Sequence, residues 1–222
     1  MFRRIVFAAA VSGLIAGLFL SAVQTLRVIP LILEAETYEN ASPPAHADPA
    51  GAPAHANEAG IDLSRTALTA VSNVISAIGF ALLLVAGFSL RGGSDWRSGI
   101  LWGLGGFAAF SLAPSLGLPP ELPGTFAAPV AGRQVWWAFA AAATAGGLSF
   151  AAFSRGWVLK TFGAALIALP HLIGAPQPAR HGGLAPAAMM QAFVVAALAT
   201  SLIFWIVLGT LAGYFFHRFE QA

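Results

Sequence analysis

The side chains in this sequence that could hold a metal ion are few, and they fall near the ends of apolar stretches. His171 follows Pro170 at the end of one such stretch. Proline there interrupts backbone hydrogen bonding and frees carbonyls, which a membrane tolerates only where protein or water covers them. A histidine beside that break is placed to ligate a cation at a pore mouth, or to hydrogen-bond a loop. Glu121 sits among Pro119, Pro120 and Pro123, a stiff setting that suits coordination or an ion pair with Arg133. Glu34, Glu36 and Glu39 form an acidic cluster, and on a helix Glu36 and Glu39 share a face. Such a cluster raises the local concentration of cations. His46, His55 and His181 add imidazoles, and Met189 and Met190 add thioethers that either ligate or simply pack. Imidazole and carboxylate together suit a borderline divalent ion such as Co²⁺ or Ni²⁺. The candidate metal residues are therefore His171, Glu121, Glu36, Glu39 and His181.

Other chemistry is missing its residues. Cysteine is absent, which removes disulfides, thiolate metal sites and a cysteine nucleophile. No phosphate-binding loop, His-Glu-x-x-His or serine-nucleophile motif occurs. The sequence therefore points away from an enzyme and away from a permanently bound cofactor. Basic residues are scattered rather than clustered, so a nucleic-acid partner has no support.

The elements that must position these groups are membrane helices. Of 222 residues, 58% are hydrophobic and 9% charged, too few charges to cover a water-soluble domain of this size. The solvent for most of the surface is lipid. Apolar stretches close to the roughly 17–25 residues needed for a span run over Ile5–Val23, Ala67–Leu90, Gly99–Leu118, Val135–Phe153, Trp157–Ile173 and Ala187–Phe216. The first has the basic start of a signal peptide. Apolar character continues past Arg27 to Leu33, however, which favours a retained helix over a cleaved one.

Charge gives the orientation. With the N-terminus inside, Arg3, Arg4, Arg91, Arg97, Arg155, Lys160 and Arg218 are cytoplasmic, and only Arg27, Arg65, Arg133 and Arg180 are outside. That satisfies the positive-inside rule with six spans and both termini in the cytoplasm. Residues 35–66 read as a flexible periplasmic loop, and the whole chain, 1–222, as a single integral membrane domain. The expected fold is all-α and multi-pass, in a bacterial inner membrane.

Within the spans no acidic or basic residue occupies the central turns, which argues against a proton relay. Gln24, Asn73, Ser76, Ser111, Thr144, Ser149, Gln191, Thr200 and Ser201 remain as polar lining or interhelical contacts. Gly13 to Gly17 and Gly209 to Gly213 are small-residue pairs that permit close helix contact, more readily within one chain than between copies. Two hairpins look alike, Phe88-Ser89-Leu90-Arg91-Gly92 beside Phe153-Ser154-Arg155-Gly156-Trp157, which admits a parallel repeat of helical hairpins.

Longer motifs carry a resemblance. They are Gln24 through Pro30 with Glu34-Ala35-Glu36-Thr37-Tyr38-Glu39, then Gly117-Leu118-Pro119-Pro120-Glu121-Leu122-Pro123-Gly124 and Arg133-Gln134-Val135-Trp136-Trp137. Pro170-His171-Leu172-Ile173-Gly174-Ala175-Pro176 and Gly213-Tyr214-Phe215-Phe216-His217-Arg218-Phe219 complete the set. With these the chain resembles the CbtA family of predicted cobalt transporters along essentially its whole length. The resemblance implies Co²⁺ as the transported ion, a link to cobalamin synthesis, and a small, single-span, His-containing partner subunit (CbtB-like). The expectation is a membrane permease component for cobalt uptake. The alternative is a non-transporting membrane scaffold for a metal-binding partner.

Overall fold

The computed structural model describes residues 2–41, 63–92 and 95–220. Helix α1 (Phe2–Arg27) leads through Val28 into α2 (Ile29–Ala41). Pro30 explains the break, because it has no N–H to bond the carbonyl of Leu26 four residues back. Next come α3 (Leu63–Leu90) and α4 (Trp96–Phe107). Helix α4 opens on a capping box: the Ser98 amide donates to the Asp95 carboxylate at 2.8 Å, and the Asp95 amide donates to the Ser98 hydroxyl at 3.0 Å. The bonds from Ser98 hold the Asp95 carboxyl below its ordinary pKa.

From α4 the chain passes through a π turn, Ala108–Leu112, into the short α5 (Ala113–Ser115). The cause is in the sequence. Pro114 cannot donate to the carbonyl of Phe110, so the ladder widens ahead of it, and the Ala113 amide reaches back five residues to Ala108. The run Trp96 to Ser115 stays helical throughout and spans about 30 Å at the usual rise. Helices α6 (Val130–Phe153), α7 (Trp157–Ile173) and α8 (Ala187–Arg218) complete the fold. Boundaries expected from hydropathy agree with these helices to within a few residues. The exception is the segment 35–66, where helix extends to Ala41 on one side and begins at Leu63 on the other. The polar residues there carry helical backbone because α2 docks by its apolar side, with Val28 and Ala35 buried against Leu122, Ala185 and Phe193. His46 and His55 lie outside the described residues.

Helices α1, α3, α6 and α8 are each long and apolar enough to cross a membrane. Helix α7 is apolar and shorter, 17 residues. The surface matches a lipid solvent: Leu101, Val135 and Leu172 are 70%, 72% and 81% exposed, while Ala8, Ala16, Ala77 and Ala81 are fully buried. Small residues let the helices approach closely inside, where Phe88, Trp205, Leu208 and Phe216 are also buried. The chain is an all-helical polytopic membrane protein.

Packing is most extensive between α1 and α3, α4 and α8, α6 and α7, and α1 and α8. The α4–α8 seam is glycine on glycine. A Cβ on Gly209 would sit 2.8 Å from the Cα of Gly103, and one on Gly213 would sit 3.1 Å from the Cα of Gly99. Gly13 and Gly17 likewise lie against the α3 backbone at Ile78 and Val74, so both small-residue pairs act within the chain. The two similar hairpins pack differently. Helices α6 and α7 meet backbone to backbone at Gly147 and Gly163, whereas α3 meets α4 through the side chains of Phe88 and Trp102. The likeness of the two turn sequences therefore does not extend to a shared packed unit.

Ion pairs mark the two ends of the bundle. At one end Arg4 Nη1 lies 2.9 Å from Glu220 Oε1, and the Arg4 guanidinium covers the Phe216 ring at 3.8 Å. The start of α1 and the end of α8 therefore share an end. Arg91 covers Phe153 at 4.0 Å on that same side. Two further pairs, Arg65 with Glu36 and Arg133 with Glu121, gather at the other.

Candidate functional site

The π turn aims Ser111 at α8. Its hydroxyl shares a hydrogen bond with that of Ser201 at 2.7 Å and accepts another from Trp205 Nε1 at 3.2 Å. Phe110 stacks on Trp205 with centroids 5.7 Å apart, and Phe80 of α3 packs on both rings. Together these residues close one wall of a cavity of about 450 Å³ among α1, α3, the π turn and α8. Its polar lining is Gln24, Ser111, Thr200 and Ser201, all uncharged. Gln24 is held in place by Asn73, whose amide donates to Gln24 Oε1 at 2.7 Å and to the Ser21 hydroxyl at 3.0 Å. Below the cavity the bundle is closed by the α4–α8 glycine seam and by Phe88, Trp102 and Phe216, which pack edge to face.

A second, larger cleft of about 780 Å³ lies on the other side of Ser111 and Ser201, between the α4–α5 run, α6 and α8. Its walls are mainly apolar, and its charged lining is Glu121 and Arg133.

The end opposite the Arg4–Glu220 pair is capped by two loops tied to each other. The Phe126 amide donates to the Gly182 carbonyl at 3.0 Å, and the Leu184 amide donates to the Gly124 carbonyl at 3.1 Å. Gly124 and Gly182 adopt φ of +75° and +100°, which explains glycine at both positions. The tie joins the Glu121 loop to the His181 loop. Leu122, next to Glu121, is buried against α2, which brings the acidic helix onto the same cap.

The candidate metal residues are therefore gathered at one end, but two of the carboxylates are already engaged. Arg133 Nη2 lies 2.6 Å from Glu121 Oε2. Arg65 grips Glu36 with both terminal nitrogens, at 2.6 and 3.1 Å, and holds its carboxyl below the ordinary value, chiefly through those hydrogen bonds. Glu39 and His181 are exposed. His171 is half-buried, its ring edge-on to Trp136 with centroids 5.8 Å apart. Trp136 Nε1 donates to the Pro170 carbonyl at 3.2 Å, so an indole covers the backbone beside the proline. Met189 and Met190 pack against the α2 cluster. Among the described residues no three His, Asp or Glu side chains come together around a point where a metal ion could sit.

Of the polar residues singled out in the sequence, Gln24, Ser111, Thr200 and Ser201 line the cavity and Asn73 contacts Gln24, whereas Ser149 bonds within its own helix and the Thr144 hydroxyl is buried without a partner among the described residues. Sequence reasoning missed the π turn and the role of Trp205. Pro114, three residues after Ser111 in an apolar run, was the available signal.

The model of one protein family, described as probable cobalt transporter subunit (CbtA), matches residues 2–217. The chain belongs to the CbtA family. As a family of transporter subunits, CbtA implies transport rather than catalysis, cobalt as cargo, and partners. No curated protein and no solved structure matches this CbtA-family chain.

Proposed function

We propose that this chain is the permease component of a bacterial inner-membrane Co²⁺ importer linked to cobalamin synthesis. In this reading α1, α3, the α4–α5 run, α6, α7 and α8 make six crossings, with both termini cytoplasmic and the whole chain acting as one membrane domain. The Arg4–Glu220 pair supports an even number of crossings. Basic residues at that end support its assignment to the cytoplasm.

The observation that carries the proposal is the cavity beside the π turn. It offers Gln24 and three hydroxyls to a cation deep between helices, without a charged group that would trap a divalent ion. Neutral oxygens stabilise a partly hydrated ion and still release it. Glu36, Glu39, Glu121, His171 and His181 act in this reading as an outer collecting surface, and a small, single-span, His-containing CbtB-like subunit completes the coordination.

A second reading has a specific observation in its favour. Because Glu36 and Glu121 are held by arginines, the chain serves equally as a scaffold for a partner that carries the ligands itself. Proteoliposomes loaded with a cobalt-responsive chelator separate the two. Flux with the chain and partner together, reduced by Ser201→Ala, supports the permease. Metal binding by the pair without flux above empty vesicles leaves the scaffold.

A further inference from the structure

We propose that the 780 Å³ cleft binds a singly anionic phospholipid of the outer leaflet, with its phosphate on Arg133 and an acyl chain along the apolar wall. Three observations lead there. The first is shape. Helix α6 packs on α7 and on the α4–α5 run, but it has no extensive contact with α8. The gap left between them is the cleft, walled by Phe110, Pro114, Trp137, Ala138 and Leu198. Such a wall matches a hydrocarbon chain, and the polar lining residues Ser115, Glu121, Arg133 and Gln134 come from the ends of α5 and α6 and the loop between them, where a headgroup would sit.

The second is the unused capacity of Arg133. Its guanidinium has five N–H donors, yet it meets the single oxygen Glu121 Oε2, and Nε is buried with no acceptor. The side chain is 29% exposed, enough for a ligand in the cleft to reach it. Gln134, the next residue, also lines the cleft and adds an amide donor. Phosphate oxygens are the acceptors that a guanidinium fork fits best.

The third is depth. Arg133 lies in the first turn of α6 beside Trp136 and Trp137. Tryptophan and arginine at a helix end belong to the headgroup layer, where a phosphate and the top of an acyl chain meet. Glu121, the other charge in the lining, opposes a second negative charge and so selects a monoanionic headgroup. This site is separate from the cation cavity and shares with it only the wall around Ser111 and Ser201.

Native mass spectrometry of the detergent-purified chain, titrated with phosphatidylglycerol or with diacylglycerol of the same acyl chains, which lacks the phosphate, tests the proposal. Loss of a charge-assisted contact corresponds to about tenfold or more in affinity. The expected result is a phosphatidylglycerol preference of that size, lost in Arg133→Gln. Ala138→Trp fills the groove and leaves the Arg133–Glu121 pair intact, so it should abolish binding of the lipid even if Arg133→Gln fails to fold. Bromine-labelled phosphatidylglycerol should quench a fluorescence component that Trp137→Phe removes. Equal retention of the two lipids by the unmodified chain would overturn the proposal. So would full displacement of phosphatidylglycerol by glycerol phosphate, which would make the site one for a soluble anion, or unchanged binding in Ala138→Trp.

Discussion

The hydroxyls of Ser111 and Ser201, 90 residues apart in the chain, lie 2.7 Å from each other across the contact between the π turn and α8. This bond closes the partition between the two cavities, and it exists because the helix widens before Pro114. A local backbone event thus positions a polar group where regular α-helix would set it at a different angle.

Pro114→Ala restores an N–H that can reach the Phe110 carbonyl, and the π turn should revert to α-helix. Ser111 then rotates away from Ser201. Thermal stability in detergent should hold or rise, since an α-helix is the more stable form, while cobalt uptake falls. A stable Pro114→Ala protein with full uptake would separate the π turn from function.

The α4–α8 seam sets a stability contrast between glycines. Gly209→Ala pushes a methyl into the backbone of α4 and should cost about 1–3 kcal/mol, the usual range for overpacking. Gly105, also in α4, has open space where its Cβ would be. Gly105→Ala should be neutral or stabilising by up to about 1 kcal/mol through helix propensity. Thermal unfolding of the two variants side by side measures the difference.

Much of this was readable in the sequence, because membrane helices obey one strong rule. Every backbone polar group must be satisfied within the segment, so hydropathy located the helices almost to the residue at Trp157–Ile173. The uncharged lining was legible for the same reason: Gln24, Ser111 and Ser201 stand out in apolar stretches. The Glu121–Arg133 pair was readable as one of two roles, since a stiff loop faces a helix start. Pairing across long separations was not legible. Nothing local indicates that Arg4 meets Glu220, or that Trp205 donates to Ser111. Helix α2 was hidden because its charged residues look like loop until Leu122 and Phe193 supply a surface for Ala35.

The Glu36–Arg65 contact ties α2 to α3 in a pH-dependent way. Its carboxyl pKa is lowered in the fold, so the stabilisation is full above the ordinary value of 4.5 and is lost as pH falls through the lowered folded value. With no native cysteine in the chain, spin labels at Glu39→Cys and Thr69→Cys report the α2–α3 separation cleanly. A fixed distance from pH 7 down to 4.5 is expected, with broadening only at lower pH, as Glu36 protonates through its lowered folded value. Glu36→Gln should broaden the distribution at every pH.

At the opposite end, Arg4 makes two contacts and Glu220 makes one. Glu220 is 47% exposed, so Glu220→Ala should cost no more than about 1 kcal/mol. Arg4→Ala also removes the cation–π contact with Phe216, worth a further roughly 0.5–1 kcal/mol. Denaturation in mild detergent should rank Arg4→Ala as the less stable of the two.

Radioactive Co²⁺ uptake in cells lacking other cobalt importers, with and without this chain and the proposed small partner, tests the permease reading most directly. Ser111→Ala/Ser201→Ala and His171→Ala are measured alongside, at matched membrane levels. The permease reading predicts uptake that requires the chain, falls sharply in the double serine variant, and falls in His171→Ala. Uptake that is the same without the chain, or unchanged by loss of both hydroxyls, would contradict it.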